Sequence, residues 1–339
     1  MRKIFLQAEW RKLAMANYAI DSNLLRPWLP HKTEIDFWNN VCYVSLIGFM
    51  FQNTQVKGFK IPFHVNFEEV NLRFYVRYND QGEWKRGVVF IKEIVPKPAL
   101  AFVANTIYKE NYETMPMRHS WAESHESLAV EYQWKKKNWN SFKVVTEKTS
   151  VPIQPGSEEE FITEHYWGYT KISDTITSEY GVEHPRWEVY PAKEYFIDVN
   201  FGDLYGEAFS FLDREVPKSV FLAEGSAINV RDGRKIYQFF RMNSAFVALA
   251  CVILVNSALF AQEIKKCDGA VIQYAQAKAG KLTKSDMKNF MLTFGKECDN
   301  NVEFSEFSNE VLFLVLSRQT KLTLKTIEKE ETQLDLEAI

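Results

Sequence analysis

The stretch Asn66–Arg77, NFEEVNLRFYVR, alternates without a break: Val70, Leu72, Phe74 and Val76 point one way, Glu69, Asn71, Arg73, Tyr75 and Arg77 the other. A period of two sustained over this length does not sit on a helix and places the segment in a β-sheet. Cys42–Phe51, CYVSLIGFMF, is apolar on both faces instead, as expected of a strand covered by two layers. Arg86–Val95 returns after Asn79-Asp-Gln-Gly82, whose residues favour a tight reversal. These three segments form an antiparallel meander.

Pro98 stands where a first helical residue should be, and Ala99–Tyr108 supplies good helix formers behind it. Further strands are expected at Leu128–Trp134 and Phe142–Glu147, a short acidic helix at Glu158–Glu164, and a hairpin over Tyr166–Val182 reversing near Ser173-Asp174. Tyr195–Val199 reads as a strand, Asp203–Phe211 as a helix, and Val220–Ala223 and Ala227–Val230 as two strands. Aromatic residues make up 15% of the chain, which suits sheets wrapped around a wide interior better than a helical bundle. The expected class is therefore α+β, mainly antiparallel, a large barrel or sandwich with helices on its flank.

The chain of 339 residues changes character after residue 238: every Trp lies at or before Trp187 and every Pro at or before Pro217. Residues 1–238 form the main domain, 244–261 an apolar segment and 262–339 a mostly helical C-terminal region. The apolar run Ser244–Ala261, SAFVALACVILVNSALFA, would reach about 27 Å as a helix, enough for a bilayer core. As a transmembrane helix, the leading reading, it would anchor the main domain on the cytoplasmic side of the inner membrane, because Arg231, Arg234, Lys235 and Arg241 precede it. As a signal peptide, Met242 and the small residues of SALFA would open a second, secreted protein fused in frame. A buried core helix is the third reading, opposed by the lack of any polar face. In the tail, Lys284–Lys288 and Asn309–Leu316 are plausible helix starts, and Leu322–Ile339 reads as a terminal amphipathic helix. Cys267 and Cys298 either pair or remain lone thiols, and Cys42 is a small buried hydrophobe.

Forty-one basic against forty-four acidic residues give a formal charge of −3, too weak a field to hold a nucleic-acid backbone. No phosphate-cradling glycine loop, GxSxG elbow, HExxH or CxxC pair is present, which disfavours nucleotide-driven, serine-hydrolase and zinc-ribbon chemistry. No cofactor and no metal are implied, the expected partner is a small molecule, and the oligomeric state is left open.

FLQAEWRKLAMANYAID, CYVSLIGFMF, IPFHVNFEEVNLRFYVR, RGVVFIKEIVPKPALAFVA, EEEFITEHYWGYT, VEHPRWEVYP and SVFLAEGSAINVRDG, in that order, resemble the YqjF family of bacterial proteins. The resemblance covers Met1 to about Ile236. It implies an acetoacetate-decarboxylase-like fold, a large β-barrel with flanking helices around an apolar cavity, and supplies no established activity. Decarboxylases of that superfamily form a Schiff base through a lysine in a Phe/Tyr-Pro-Lys-Lys stretch, and the nearest match here is Val95-Pro96-Lys97-Pro98. Lys97 takes the nucleophile's place, while Pro98 occupies the position of the second lysine that helps to keep the amine neutral. The plain alternative is a lysine reaching into solvent from a strand-to-helix corner.

Glu69 resembles the superfamily's strand glutamate. If its face lines a cavity, Glu69 and Arg73 bind or protonate a carboxylate; if it faces water, they form a ladder of opposite charges. Lys92 and Glu93 read as structural. The hairpin brings Glu164-His165 near Glu183-His184, so His165 and His184 either line a pocket, hold a metal or make ordinary carboxylate–histidine hydrogen bonds. Arg186 beside Trp187 either caps a ligand or simply stacks. The leading expectation is a cavity that binds a small apolar carbonyl or carboxylate compound. The rivals are a lyase or hydrolase acting on a keto acid through Lys97 and Glu69, and a membrane-attached scaffold.

Overall fold

The computed structural model describes residues 2–237, 269–294 and 302–330. The run Ser244–Ala261, Cys267, Cys298 and the residues after Glu330 lie outside the described residues. The chain falls into two compact units, Met1–Ile236 and Tyr237–Ile339. Among the described residues no helix is long and apolar enough to cross a membrane.

The strands of the first unit are, in chain order, β1 (Ile4–Ala19), β2 (Thr33–Ile35), β3 (Tyr43–Val56), β4 (Phe67–Asp80), β5 (Glu83–Val95), β6 (Tyr112–Thr114), β7 (Met117–Glu123), β8 (Leu128–Lys135), β9 (Trp139–Thr146), β10 (Val151–Pro152), β11 (Trp167–Ser173), β12 (Ile176–Glu183), β13 (Glu188–Asp198), β14 (Ser219–Arg231) and β15 (Arg234–Tyr237). Among them run α1 (Pro98–Tyr108), α2 (Glu158–Thr163) and α3 (Phe201–Tyr205). The sheet is mostly antiparallel; among the described residues, parallel pairings join only β5 with β11 and β5 with β6. Neighbours run β12-β11-β5-β4-β3-β1-β14, and β12 also pairs with β14 at Val182↔Val230 and Glu183↔Asn229. From β14 the ladder continues through β13, β9 and β8 to β7.

The expected meander is present as β3-β4-β5. Nine consecutive residues of β3, Tyr43–Phe51, are buried, because one set of side chains meets each of two apolar clusters. On β4, Val70, Leu72, Phe74 and Val76 pack with Tyr132, Trp134, Phe142 and Val144 of β8 and β9 and with Phe201, Leu204 and Phe209. The other face of β4 gives Phe67 and Tyr75 to a second cluster with Met15, Ile47, Phe49 and Trp187, to which α1 adds Ala101 and α2 adds Phe161 and Ile162. Fully burying each such aromatic side chain contributes roughly 2–3 kcal/mol.

Two expected boundaries are corrected. Val220–Ala223 and Ala227–Val230 are one strand, because Gly225 adopts the left-handed region (φ 81°) while the register with β1 runs through it unshifted, from Trp10↔Ser226 to Leu13↔Ala223. A Cβ there would sit 2.0 Å from the Trp10 carbonyl oxygen, so only glycine passes. The helix expected over Asp203–Phe211 is split by Gly206 (φ 104°) into α3 and a 3-10 segment, Glu207–Asp213.

In the second unit, Lys284–Met291 starts at a capping box between Thr283 and Asp286. The helix Val302–Glu330 is kinked at Gln319, whose side chain accepts from Leu282 N and donates to Leu282 O. Met287, Phe290, Val311, Phe313 and Val315 are buried there.

Candidate functional site

The polar face of β4 is enclosed rather than wet: Glu69 is 2% and Asn71 1% exposed, so the reading as a water-facing charge ladder does not describe it. Strand register then decides what stands near them. Asn71 donates to Glu69 Oε1 at 3.0 Å and lies opposite Glu93 on β5. Glu93, 3% exposed, is in register with Tyr112 on β6, and the Tyr112 phenol acts on both carboxyls. Just ahead of β6, Glu110 accepts from the Thr170 hydroxyl of β11 at 2.8 Å. Tyr180 reaches the same group from β12, across from Gly168, where a Cβ would lie 2.1 Å from the phenol ring. Three carboxyls and two phenols thus converge from β4, β5, β6, β12 and the segment between α1 and β6.

Burial sets the chemistry of this group. Loss of water raises the Glu69 and Glu110 carboxyls to about 7 and pushes Glu93 well above the ordinary carboxylate range, Glu69 and Glu110 adding repulsion at Glu93. The Tyr112 and Tyr180 phenols are pushed up for the same reason. Arg73 opposes this at Glu69; its Nη2 donates to the Ile162 carbonyl at 3.3 Å. Glu69 Oε2, Glu93 Oε2, Asn71 Oδ1 and Arg73 Nε are buried without a hydrogen bond of ordinary geometry. Such atoms are rare in folded proteins, since each forfeits its solvation. Near neutral pH the group holds exchangeable protons beside one guanidinium, an arrangement able to bind an oxyanion or carbonyl oxygen and to give or take a proton.

A second polar line lies along the same face. His165 Nε2 donates to Asp36 at 3.2 Å, and Asp36 also accepts from Arg86 Nε at 2.7 Å. Burial lowers the imidazole to about 4, so the ring stays neutral and Nδ1 carries a free lone pair. Tyr75 shares a hydroxyl–hydroxyl hydrogen bond with Ser45 at 2.7 Å, and Ser45 donates to Asn17 at 2.6 Å.

The residues singled out from sequence are separated. Glu69 stands in the enclosed cluster with Arg73 acting on it, and His165 lies apart from it on Asp36. Lys97 is the N-cap of α1, half-buried, and acts on Glu68 and His64, Glu68 being on the opposite face of β4 from Glu69. Lys97 is not among the main groups acting on Glu69. His184 does not join His165: it stacks on Trp187 at 4.2 Å and 19° and donates Nδ1–H to the Pro185 carbonyl at 2.9 Å. Arg186 pairs with Glu160 at 2.5 Å. Lys92 is structural as expected, bonded to Glu113 at 2.6 Å and to the Leu204 carbonyl at 2.5 Å. Glu93 lies in the enclosed group, on the face that the register shift between Leu72↔Lys92 and Arg73↔Phe90 assigns it, and simple alternation along Arg86–Val95 does not place it there; Glu110, Tyr112 and Tyr180 are not among the residues singled out from sequence.

Three likenesses to known proteins bear on this chain. It is 26% identical over 200 residues, 58% of this chain and 78% of the relative, to uncharacterized protein YqjF of Bacillus subtilis (strain 168). In structure it is similar to the acetoacetate decarboxylase of Legionella pneumophila subsp. pneumophila str. Philadelphia 1, at 12% identity, 69% of this chain, 88% of that one and a TM-score of 0.48. An acetoacetate decarboxylase-like enzyme from Sphingomonas wittichii RW1 is similar at 10% identity, 70% and 95% coverage and a TM-score of 0.49. Residues 7–227 match the model of the DUF2071 family of uncharacterized conserved proteins, and the chain belongs to that family.

Proposed function

We propose that β1, β3, β4, β5, β11, β12 and β14 form a closed barrel whose interior binds a small, mostly apolar carbonyl or carboxylate compound. The observation that carries this reading is the set of buried, unpartnered polar atoms around Arg73, Glu69 and Glu93 inside an otherwise apolar wall. The β12–β14 pairing supports closure of the ladder. Glu110, Tyr112 and Tyr180 are deeply enclosed yet keep accessible surface, as side chains lining an internal space do. In this reading the ligand's oxygen lies between Arg73 and the protonated carboxyls, and its hydrocarbon part among the aromatic residues. The surroundings of Lys97 do not favour the Schiff-base alternative.

Calorimetric titration of the full chain with short 2-oxo, 3-oxo and simple carboxylic acids tests this, with Arg73→Gln as the comparison. Binding that weakens at least tenfold in the variant is expected. No binding across the panel, or equal binding by Arg73→Gln, overturns it. Borohydride reduction in the presence of the same acids separates binding from imine chemistry: an adduct mapped to Lys97 would replace this reading with the lyase one.

A further inference from the structure

Outside that interior, a cleft of about 370 Å³ opens on Arg2, Tyr166, Trp167, Gly181, His184 and Arg231 among its lining. Its floor is Gly181, which alternates with Tyr180 on β12 and so faces away from the acidic group. A Cβ at Gly181 would stand 3.6 Å from the Trp167 ring and 3.9 Å from Arg231 Cγ, so the indole and the arginine stem flank a slot about one side chain wide. Both walls are fixed. Lys85 Nζ lies 4.2 Å from the Trp167 ring centroid. Arg231 binds Glu183 through Nε at 2.8 Å and Nη2 at 2.9 Å and donates Nη1 to the Arg2 carbonyl at 3.0 Å. Three of the five guanidinium N–H donors are thereby engaged, and the arginine's aliphatic stem forms the wall beside Gly181. At the end of the cleft Tyr166 lies 4.8 Å from His184, which is backed by Trp187.

We infer that this cleft is a second binding site, for a planar aromatic or heteroaromatic ring carrying an N–H donor, held over Gly181 between Trp167 and Arg231. The rim decides the donor. His184 gives its Nδ1–H to Pro185, which leaves Nε2 as an acceptor, and Glu183 is a carboxylate; both line the cleft. A volume of about 370 Å³ falls within the usual range of small-molecule sites. This inference does not rest on the interior reading.

The test uses the full chain with indole and adenine as probes and cyclohexanol as a non-planar control, read by saturation-transfer NMR and by quenching of tryptophan fluorescence. Gly181→Leu fills the slot, and its Cβ meets only ordinary van der Waals neighbours. Binding of indole or adenine that falls at least tenfold in Gly181→Leu, with an unchanged melting curve and no cyclohexanol signal, is expected. Should Gly181→Leu fail to fold, Gly181→Ala is expected to fold and weaken the probes at least twofold. No binding of either probe, equal binding of cyclohexanol, or probe affinity untouched by the substitution overturns the inference.

Discussion

His165 donates its Nε2–H to the Asp36 carboxylate at 3.2 Å, joining residues 129 positions apart. Burial outweighs this bond and holds the folded imidazole down at about 4. An unfolded histidine takes up its proton below about 6.5. Stability from the neutral ring is therefore complete above that value and is lost as pH falls toward 4. Asp36, lowered by His165 and Arg86 against its own desolvation, adds a loss of the same sign further into acid. Urea denaturation at stepped pH should show an acid limb between about 6.5 and 4 that is shallower in His165→Gln; an unaltered limb would show that the ring does not titrate this way.

The acidic group titrates in the opposite sense. Glu69 and Glu110 are raised to about 7 by burial, so the stability of their protonated forms is present below the unfolded carboxylate value and is lost as pH rises through 7. Glu69→Gln mimics the protonated state. Relative to the native chain it should gain on the order of 1–3 kcal/mol more at pH 8 than at pH 5, since each tenfold change in proton affinity is worth about 1.4 kcal/mol. Paired urea melts at the two pH values measure this directly, and a pH-independent difference would refute it.

The sheet was legible where pattern is local. Alternation in Asn66–Arg77 sorted Glu69 and Arg73 onto one face, and Pro98 marked the start of α1. Which face of β4 is enclosed depends on β6, β11 and β12, which no property of the strand itself reveals. Lys92 and Glu93, adjacent and so on opposite faces, both read as structural; only the ladder with Asn71 shows that Glu93 stands beside Glu69. Glu110 and Tyr112 lie beyond a helix, in a segment with little periodicity, so only tertiary placement reveals them. Lys97 drew attention through its Pro-Lys-Pro setting, yet the cap position of α1 turns it toward Glu68 and His64.

Gly168 makes room for Tyr180. A methyl group there would meet the phenol ring at 2.1 Å and its hydroxyl at 2.5 Å, distances no flexible shift of a few tenths of an ångström relieves. Gly168→Ala should therefore lower stability by about 1–3 kcal/mol and displace the phenol from the acidic group. Tyr180→Ala removes the ring that clashes, so Gly168→Ala should cost less in the Tyr180→Ala background than in the native chain. Thermal melts of the four proteins in the cycle test this; strict additivity would mean that the ring is not what the glycine accommodates.

Tyr132 holds the two layers together at an irregular point of β1. Lys12 lies in the left-handed region (φ 54°) and has no partner in register with β3 or β14, so its carbonyl needs a donor from elsewhere. The fully buried Tyr132 of β8 supplies it, its hydroxyl donating to Lys12 O at 2.8 Å while accepting from Trp121 Nε1 at 3.3 Å. Tyr132→Phe keeps the ring packed and leaves both groups without that partner, which should cost about 1–3 kcal/mol. Because Lys12 sits between Trp10 and Leu13, whose side chains pack into the apolar cluster beside Glu69, loosening the bulge should also speed amide hydrogen exchange along Arg11–Ala14. Exchange and stability equal to those of the native chain would show that the carbonyl finds another partner and that the bulge stands without Tyr132.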